Sequence, residues 1–271
     1  MELTVFQAFV LGALQGLAEF LPVSSSAHLT LAPWAFGWPE PGLAFDVALH
    51  VGSLAALLWY FRTEWVALMR AALSIVATRR VETVTQRRAV LLIVATIPGG
   101  IAGLLLEKKA ETAFRAPALT AAALLAMGAV LWIVDARASR DRRIESFTNL
   151  DAFLVGCAQA VALIPGVSRS GATITAGRAL GFDRESAATF SFLMSMPIIA
   201  AAAVLKVPKA LAQGGVTLPL AVAVLTAAVS SAIAINILLR FVKTRGLGVF
   251  ALYRFALGAA VFALVAYRAH S

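Results

Sequence analysis

Gln15 and Glu19 stand four residues apart inside an apolar run, and Pro22-Val23-Ser24-Ser25-Ser26-Ala27-His28 follow at once. Four-residue spacing puts the amide and the carboxylate on one helical face. Far along the chain, Gln159 precedes Ile164-Pro165-Gly166-Val167-Ser168-Arg169-Ser170-Gly171-Ala172-Thr173. Gln159, Val167, Ser168 and Ser170 each lie 144 positions after Gln15, Val23, Ser24 and Ser26, and the proline slips by one. The two stretches together hold hydroxyls, one carboxylate, one imidazole and one guanidinium.

Ionisable groups in a membrane segment are costly, and their default reading is functional. The serine runs begin short helices by this reading, so free backbone N–H groups and a positive dipole end accompany them. Ser168, Arg169 and Ser170 add a fixed positive charge, and the whole suits an anion with several oxygens. Glu19 and His28 add proton-transfer capacity. A hydroxyl such as Ser25 is a weak nucleophile until a neighbour takes its proton. The set therefore suits phosphoryl transfer or phosphate-ester hydrolysis, with Arg169, serine hydroxyls and backbone amides stabilising the equatorial oxygens. Plainer readings stand beside this one. Gln15 and Glu19 could be packing glue between helices, and Arg169 could pair with Glu19 as a structural ion pair. His50, four residues after Asp46, could line the same pocket or form a buried hydrogen-bonded pair; His270 near the C-terminus is expected to be inert.

The elements that must carry these residues are helices in a bilayer. The 271 residues are 61% hydrophobic and only 14% charged, with mean hydropathy +0.87. A soluble domain could not cover that much apolar surface. Strand alternation is absent, which argues against a barrel. The hydropathy pattern predicts an all-α polytopic membrane protein with six spans, at about 44–61, 89–106, 117–134, 186–205, 216–239 and 248–267. Residues 4–36 and those from 150 onward are apolar but broken at Pro22 and at Pro165-Gly166. Proline lacks a donor and disfavours helix before it, so each is expected to be a re-entrant hairpin rather than a kinked span. Each half, about 1–140 and 145–271, then holds one hairpin and three spans within a single membrane domain. Three is odd, so the halves are inverted and the hairpin tips meet near the midplane. Phe45-Asp46 and Phe182-Asp183 echo each other before the first span of each half.

Lys and Arg number fifteen on segments 62–88, 135–151, 176–186 and 240–247. The opposite segments, 107–116, 206–215 and Arg268 among them, hold six. The richer side is expected to be cytoplasmic, with the first hairpin opening outward. The net charge of +9 is explained by this bias and by anionic headgroups rather than by nucleic acid. The single cysteine, Cys157, excludes an intrachain disulfide and a cysteine-based metal site. No cleavable leader is expected, since Met1-Glu2 lacks a basic region. A Gly-rich nucleotide loop and a His-Glu-x-x-His metal motif are both absent. Three histidines cannot plausibly assemble the two-histidine signature of acid-phosphatase-like lipid phosphatases.

At Gln15-x-x-x-Glu19 running into Phe20-Leu21-Pro22-Val23-Ser24-Ser25 and His28, and at Pro165 through Thr173, the sequence resembles the bacitracin-resistance-type undecaprenyl-diphosphatase family of bacterial inner membranes. The span pattern agrees end to end. That family removes the terminal phosphate of undecaprenyl diphosphate, and the monophosphate carries peptidoglycan precursors. The resemblance implies Glu19 at a divalent metal or in acid–base work, His28 as base or nucleophile, Arg169 as phosphate clamp and Ser25 as a nucleophile. Two positions depart from the usual pattern. Gln15 stands where many members carry glutamate, and a carboxamide is no base and a poorer metal ligand. Ser26-Ala27 replaces a common threonine-glycine.

The expectation is an outward-facing lipid diphosphatase in the bacterial inner membrane. Ser24, Ser26, Ser168, Ser170, Thr173 and Gln15 would bind the phosphates. Mg²⁺ or Ca²⁺ would bridge phosphate oxygens to Glu19 and Gln15, since magnesium commonly uses one or two carboxylates plus phosphates. Three routes are open: Ser25 activated by His28 attacks phosphorus, His28 attacks directly, or His28 activates a water. The rival is a transporter or flippase for an anionic polyprenyl lipid, because broken helices in inverted repeats are a transporter design. The expected partners are the polyprenyl diphosphate and the bilayer, with a homodimer as an allowed assembly.

Overall fold

A computed structural model describes residues 3–111 and 116–270, with side chains left undescribed at 43–44, 107–111 and 209–214. Lys108, Lys109, Arg115 and Lys209, counted above for orientation, lie outside the described side chains. The described chain is all-helical, with α1 Val5–Phe20, α2 Ser25–Phe36, α3 Gly42–Tyr60, α4 Arg62–Thr78, α5 Val84–Glu111, α6 Pro117–Arg137, α7 Asn149–Val161, α8 Arg169–Ala179, α9 Arg184–Gly214, α10 Leu218–Thr244 and α11 Gly248–His270.

Five described helices, α5, α6, α9, α10 and α11, are long and apolar enough to cross a membrane. The sixth expected span is α3, whose described apolar stretch, Phe45–Tyr60, falls short of that length. The protein is a multi-pass membrane protein. Residues 62–88, expected as a connecting segment, instead contain α4, a 17-residue helix. The reason is visible in hindsight: its apolar residues recur every three or four positions but arginines interrupt them, so no hydropathy run forms. α9 also continues past 205, where the expected span ended, to Gly214.

α1 ends just before Pro22 and α7 ends at Val161, ahead of Pro165, whereas Pro33, Pro98, Pro197 and Pro208 lie inside continuous helices. α1 has 16 residues and α7 has 13, about 24 and 20 Å of helix. A bilayer core is about 30 Å thick. Each begins with the same device: Thr4 and Gln7 form a reciprocal capping box, and Thr148 and Asp151, 144 residues later, form another.

Packing follows one rule in both halves. α1 lies along α10 and α7 lies along α5, while α3 meets α9 and α6 meets α11. Each short helix thus packs on the middle long helix of the other half. Glycine permits the close approach. A Cβ on Gly12 would strike the Ala223 carbonyl, and one on Gly156 would strike the Ala95 carbonyl. Small residues let membrane helices gain dispersion contact where lipid supplies no hydrophobic drive.

Ion pairs hold the far end of α8. Arg178 is fully buried and donates to Asp135 at 3.1 Å, to the carbonyls of Ala138 and Ser139, and to that of Phe182. Arg184 donates to both oxygens of the same Asp135, at 2.7 and 2.8 Å. The C-terminal end of α8 is thereby tied to α6 and α9, leaving its N-terminal end to meet the end of α1.

Candidate active site

Ser24 and Ser168 each sit where a broken helix restarts. Their φ angles are 77° and 73°, a left-handed region that serine rarely adopts. Each caps the helix that follows, Ser24 Oγ accepting from Ala27 N–H and Ser168 Oγ from Gly171 N–H. Each hydroxyl also lies 3.2 Å from a second one, Ser26 and Ser170 respectively. The two turns are therefore the same local structure.

They also touch. Gly166 N–H donates to Ser24 Oγ at 3.2 Å, and Ser170 Oγ donates to the Leu21 carbonyl at 3.1 Å. Arg254 of α11 fastens both. Its guanidinium is fully buried and donates to the carbonyls of Pro22, Gly166, Val167 and Leu124. Arg254 was not among the candidate site residues. The signal was present, a lone charge inside an apolar span, but its partners lie on three distant segments.

Glu19 is the centre of the polar cluster, 5% exposed in the last turn of α1. Its Oε2 accepts from Ser25 Oγ at 2.5 Å and from Gln15 Nε2 at 3.1 Å. Its Oε1 accepts from Arg169 at 2.6 Å, across the meeting of the two turns. The structure thus brings Gln15, Glu19, Ser25 and Arg169 together. The ion-pair reading of Arg169 and Glu19 holds as geometry, beside the two serine turns.

The histidines divide differently from the expected scheme. His28 Nδ1 bonds the Ser24 carbonyl at 2.7 Å, which requires hydrogen on Nδ1. Its Nε2 meets the Tyr253 hydroxyl at 2.6 Å, and the two rings stack. Both ring nitrogens are engaged away from Ser25, whose hydroxyl finds Glu19 instead. His50 is the imidazole beside the carboxylate: Nε2 lies 3.4 Å from Glu19 Oε2, and Nδ1 bonds the Asp46 carbonyl at 2.7 Å. Thr173, expected at the phosphates, turns its hydroxyl to Ser191 of α9 at 2.6 Å and to the carbonyl of Arg169. His270 is exposed at the end of α11, remote from this cluster in the chain.

The donors suit a hard cation held mainly by substrate. Among the described residues no group of three or more His, Cys, Asp or Glu is placed to hold a metal. Glu19 supplies a carboxylate, and Gln15 Oε1 is buried without a hydrogen-bond partner. A buried unsatisfied carbonyl oxygen is expensive, and a cation would satisfy it. Oxygen ligands of this kind match Mg²⁺ or Ca²⁺ and leave most coordination to phosphate and water.

Related proteins match the sequence along nearly the whole chain. A protein of Gemmatimonas aurantiaca named undecaprenyl-diphosphatase is 58% identical over 266 residues, covering 98% of this chain and all of the relative. Proteins of Moorella thermoacetica and Pelotomaculum thermopropionicum with the same name are 49% and 47% identical, each over at least 97% of this chain and 98% of the relative. The family model described as bacitracin resistance protein BacA matches residues 8–260, which include both turns, Glu19, Arg169 and Arg254, and the chain belongs to that family.

Proposed function

We propose that the chain hydrolyses undecaprenyl diphosphate to undecaprenyl phosphate and inorganic phosphate, which recycles the lipid carrier for peptidoglycan synthesis and gives bacitracin resistance. The observation that carries the mechanism is Glu19 Oε2 accepting the Ser25 hydroxyl at 2.5 Å while Oε1 pairs with Arg169. One carboxylate holds both the nucleophile and the phosphate clamp before substrate arrives.

An entering diphosphate competes for Arg169. As the guanidinium turns to phosphate oxygens, Glu19 loses its strongest partner and becomes the better acceptor for the Ser25 proton. Ser25 Oγ forms a bond to the terminal phosphorus, the bond from that phosphorus to the bridging oxygen breaks, and undecaprenyl phosphate leaves. Glu19 passes the Ser25 proton on to His50 Nε2. Water then attacks the phosphoserine and gives a proton to Glu19. The bond from phosphorus to Ser25 Oγ breaks, Ser25 Oγ takes that proton back from Glu19, and inorganic phosphate leaves. Arg169, Ser26, Ser168, Ser170 and the amides at the starts of α2 and α8 stabilise the equatorial oxygens. Glu19 and Gln15 would hold Mg²⁺ or Ca²⁺, which would supply charge neutralisation on the phosphates. His28 keeps Ser24 in place through its carbonyl rather than activating Ser25.

The placement in the membrane follows from helix lengths and charge. α1–α2 and α7–α8 act as re-entrant hairpins from opposite faces, beside six spans that include α3, in two inverted halves. The exchange of partners between α1–α10 and α7–α5 supports this reading. Lys and Arg bias puts 62–88 and 135–151 in the cytoplasm of a bacterial inner membrane, and the site opens to the exterior.

A translocator of anionic polyprenyl lipid needs no acceptor for the Ser25 proton. Purified protein given undecaprenyl diphosphate should release phosphate only with divalent cation, and Ser25→Ala should stop release while retaining lipid binding. Folded wild-type protein that binds the lipid and releases no phosphate overturns the reading in favour of transport.

A further inference from the structure

Helix α4 has no equivalent in the second half, which passes from α9 to α10 through residues 215–217. One face packs inward: Leu68 and Ala71 are buried, and Gln86 at the start of α5 donates to Ser74 Oγ at 3.1 Å. Another face does not. Val66, Met69, Leu73 and Val76, spaced by three, four and three residues, form a stripe along the helix, and all are exposed. Unlike α1, α3 and α7, α4 is not apolar throughout. Arg62, Arg70, Arg79 and Arg80 are exposed within it or just past its end, whereas Glu64 and Glu82 are the acidic residues of segment 62–88.

The junction with α3 fixes its level. Trp59 and Tyr60 are exposed at the end of α3, and the Arg62 guanidinium lies 5.1 Å over the Trp59 ring while donating to the Trp59 carbonyl. Tryptophan and tyrosine gather at the headgroup level of a bilayer, so the chain leaves the hydrocarbon where α4 begins. A helix starting there with an apolar stripe and flanking arginines has the pattern of an in-plane interfacial helix.

We propose that α4 lies in the membrane surface, with Val66, Met69, Leu73 and Val76 in the headgroup–acyl boundary and its arginines on the phosphates of anionic phospholipids. The charge balance of the segment selects anionic headgroups over zwitterionic ones. This proposal is independent of the hydrolytic reading, because none of these residues belongs to the site.

Nitroxide labels at Leu73→Cys and Ala67→Cys in a Cys157→Ser background test it. Power saturation is read with oxygen and with a water-soluble nickel chelate, in vesicles of phosphatidylcholine with and without phosphatidylglycerol. The label at 73 should be open to oxygen and shielded from nickel, with the label at 67 open to nickel. Phosphatidylglycerol should deepen the label at 73, and Arg70→Gln/Arg79→Gln/Arg80→Gln should abolish that shift while phosphate release persists. Nickel access at 73 in both lipids, as for a face awaiting a soluble partner, overturns the proposal. So does shielding from both reagents, as against a second copy of the chain. Equal depth in the two lipids overturns the headgroup contact. A monodisperse size-exclusion profile in detergent identifies the folded variants, and absence of phosphate release from the folded wild type with the label at 73 still immersed counts against the hydrolytic reading alone.

Discussion

Arg169 and Glu19, 150 residues apart in sequence, form a 2.6 Å ion pair where the two broken helices meet. The pair joins the halves at the proposed phosphate site. In the proposed mechanism it also sets the order of events, with substrate drawing Arg169 away from Glu19. Glu19→Gln keeps the hydrogen-bonding shape but cannot take the Ser25 proton. Its phosphate release should fall by about 10²–10⁴-fold, while lipid diphosphate binding measured without divalent cation holds or tightens because Arg169 is no longer neutralised. Equal turnover by the folded variant would remove Glu19 from the mechanism.

Arg254 should prove structural in its cost and functional in its effect. Its guanidinium serves four carbonyls on three segments. Arg254→Met leaves buried acceptors unpaired at roughly 1–3 kcal/mol each, so thermal unfolding in detergent should drop sharply. Arg254→Lys should recover part of this, since one ammonium cannot span the fork. A melting curve unchanged in both variants would show that the turns hold together without it.

How far this was legible in sequence differs by residue. Pro22 and Pro165-Gly166 marked the breaks locally, although proline alone does not decide them, since Pro33, Pro98 and Pro197 sit inside continuous helices. Gln15, Glu19 and the serines announced the site because their spacing is local. Thr4-x-x-Gln7 and Thr148-x-x-Asp151 are legible as matching caps, because a capping box is a local pattern. Arg254, Tyr253 and His50 act through residues far away in the chain. No local spacing says that His28 meets Tyr253, 225 positions on, or that His50 rather than His28 faces the carboxylate. α4 was lost for the opposite reason: its pattern is local, but arginines lowered its hydropathy below that of a span.

His28 and Tyr253 should behave as one unit. The hydroxyl fixes the ring, and the ring fixes the Ser24 carbonyl, so removing either releases the same turn. Tyr253→Phe and His28→Gln should therefore be strongly non-additive, with the double variant little worse than His28→Gln alone. A steady-state cycle of kcat/KM over the four proteins measures the coupling. Simple multiplication of the two effects would mean that His28 acts elsewhere.

His50→Gln should lower kcat by about 10²-fold with KM little changed, because His50 receives the proton after Glu19 and does not hold phosphate. His28→Gln should raise KM as well, since it loosens the phosphate-binding turn. Single-turnover and steady-state rates on the two variants separate these outcomes. The reverse assignment would restore His28 as the proton carrier.

Gly12 and Gly156 make parallel close approaches, to α10 and to α5. Alanine at either position forces a Cβ into a facing carbonyl, and overpacking of this kind costs about 1–3 kcal/mol. The melting temperatures of Gly12→Ala and Gly156→Ala should fall by similar amounts. Unequal losses would mean that one interface yields where the other does not.

Gln15→Glu tests the metal. Gln15 Oε1 is buried and unpaired beside Glu19, and its amide donates to the Glu19 carboxylate. A second carboxylate there removes that donor and places two negative charges together, which only a cation or a proton can relieve. The variant should need several-fold less Mg²⁺ or Ca²⁺ for half-maximal phosphate release, and it should lose more activity to chelator than the wild type does. A cation requirement left unchanged would place the metal away from residue 15, on Glu19 and the substrate phosphates alone.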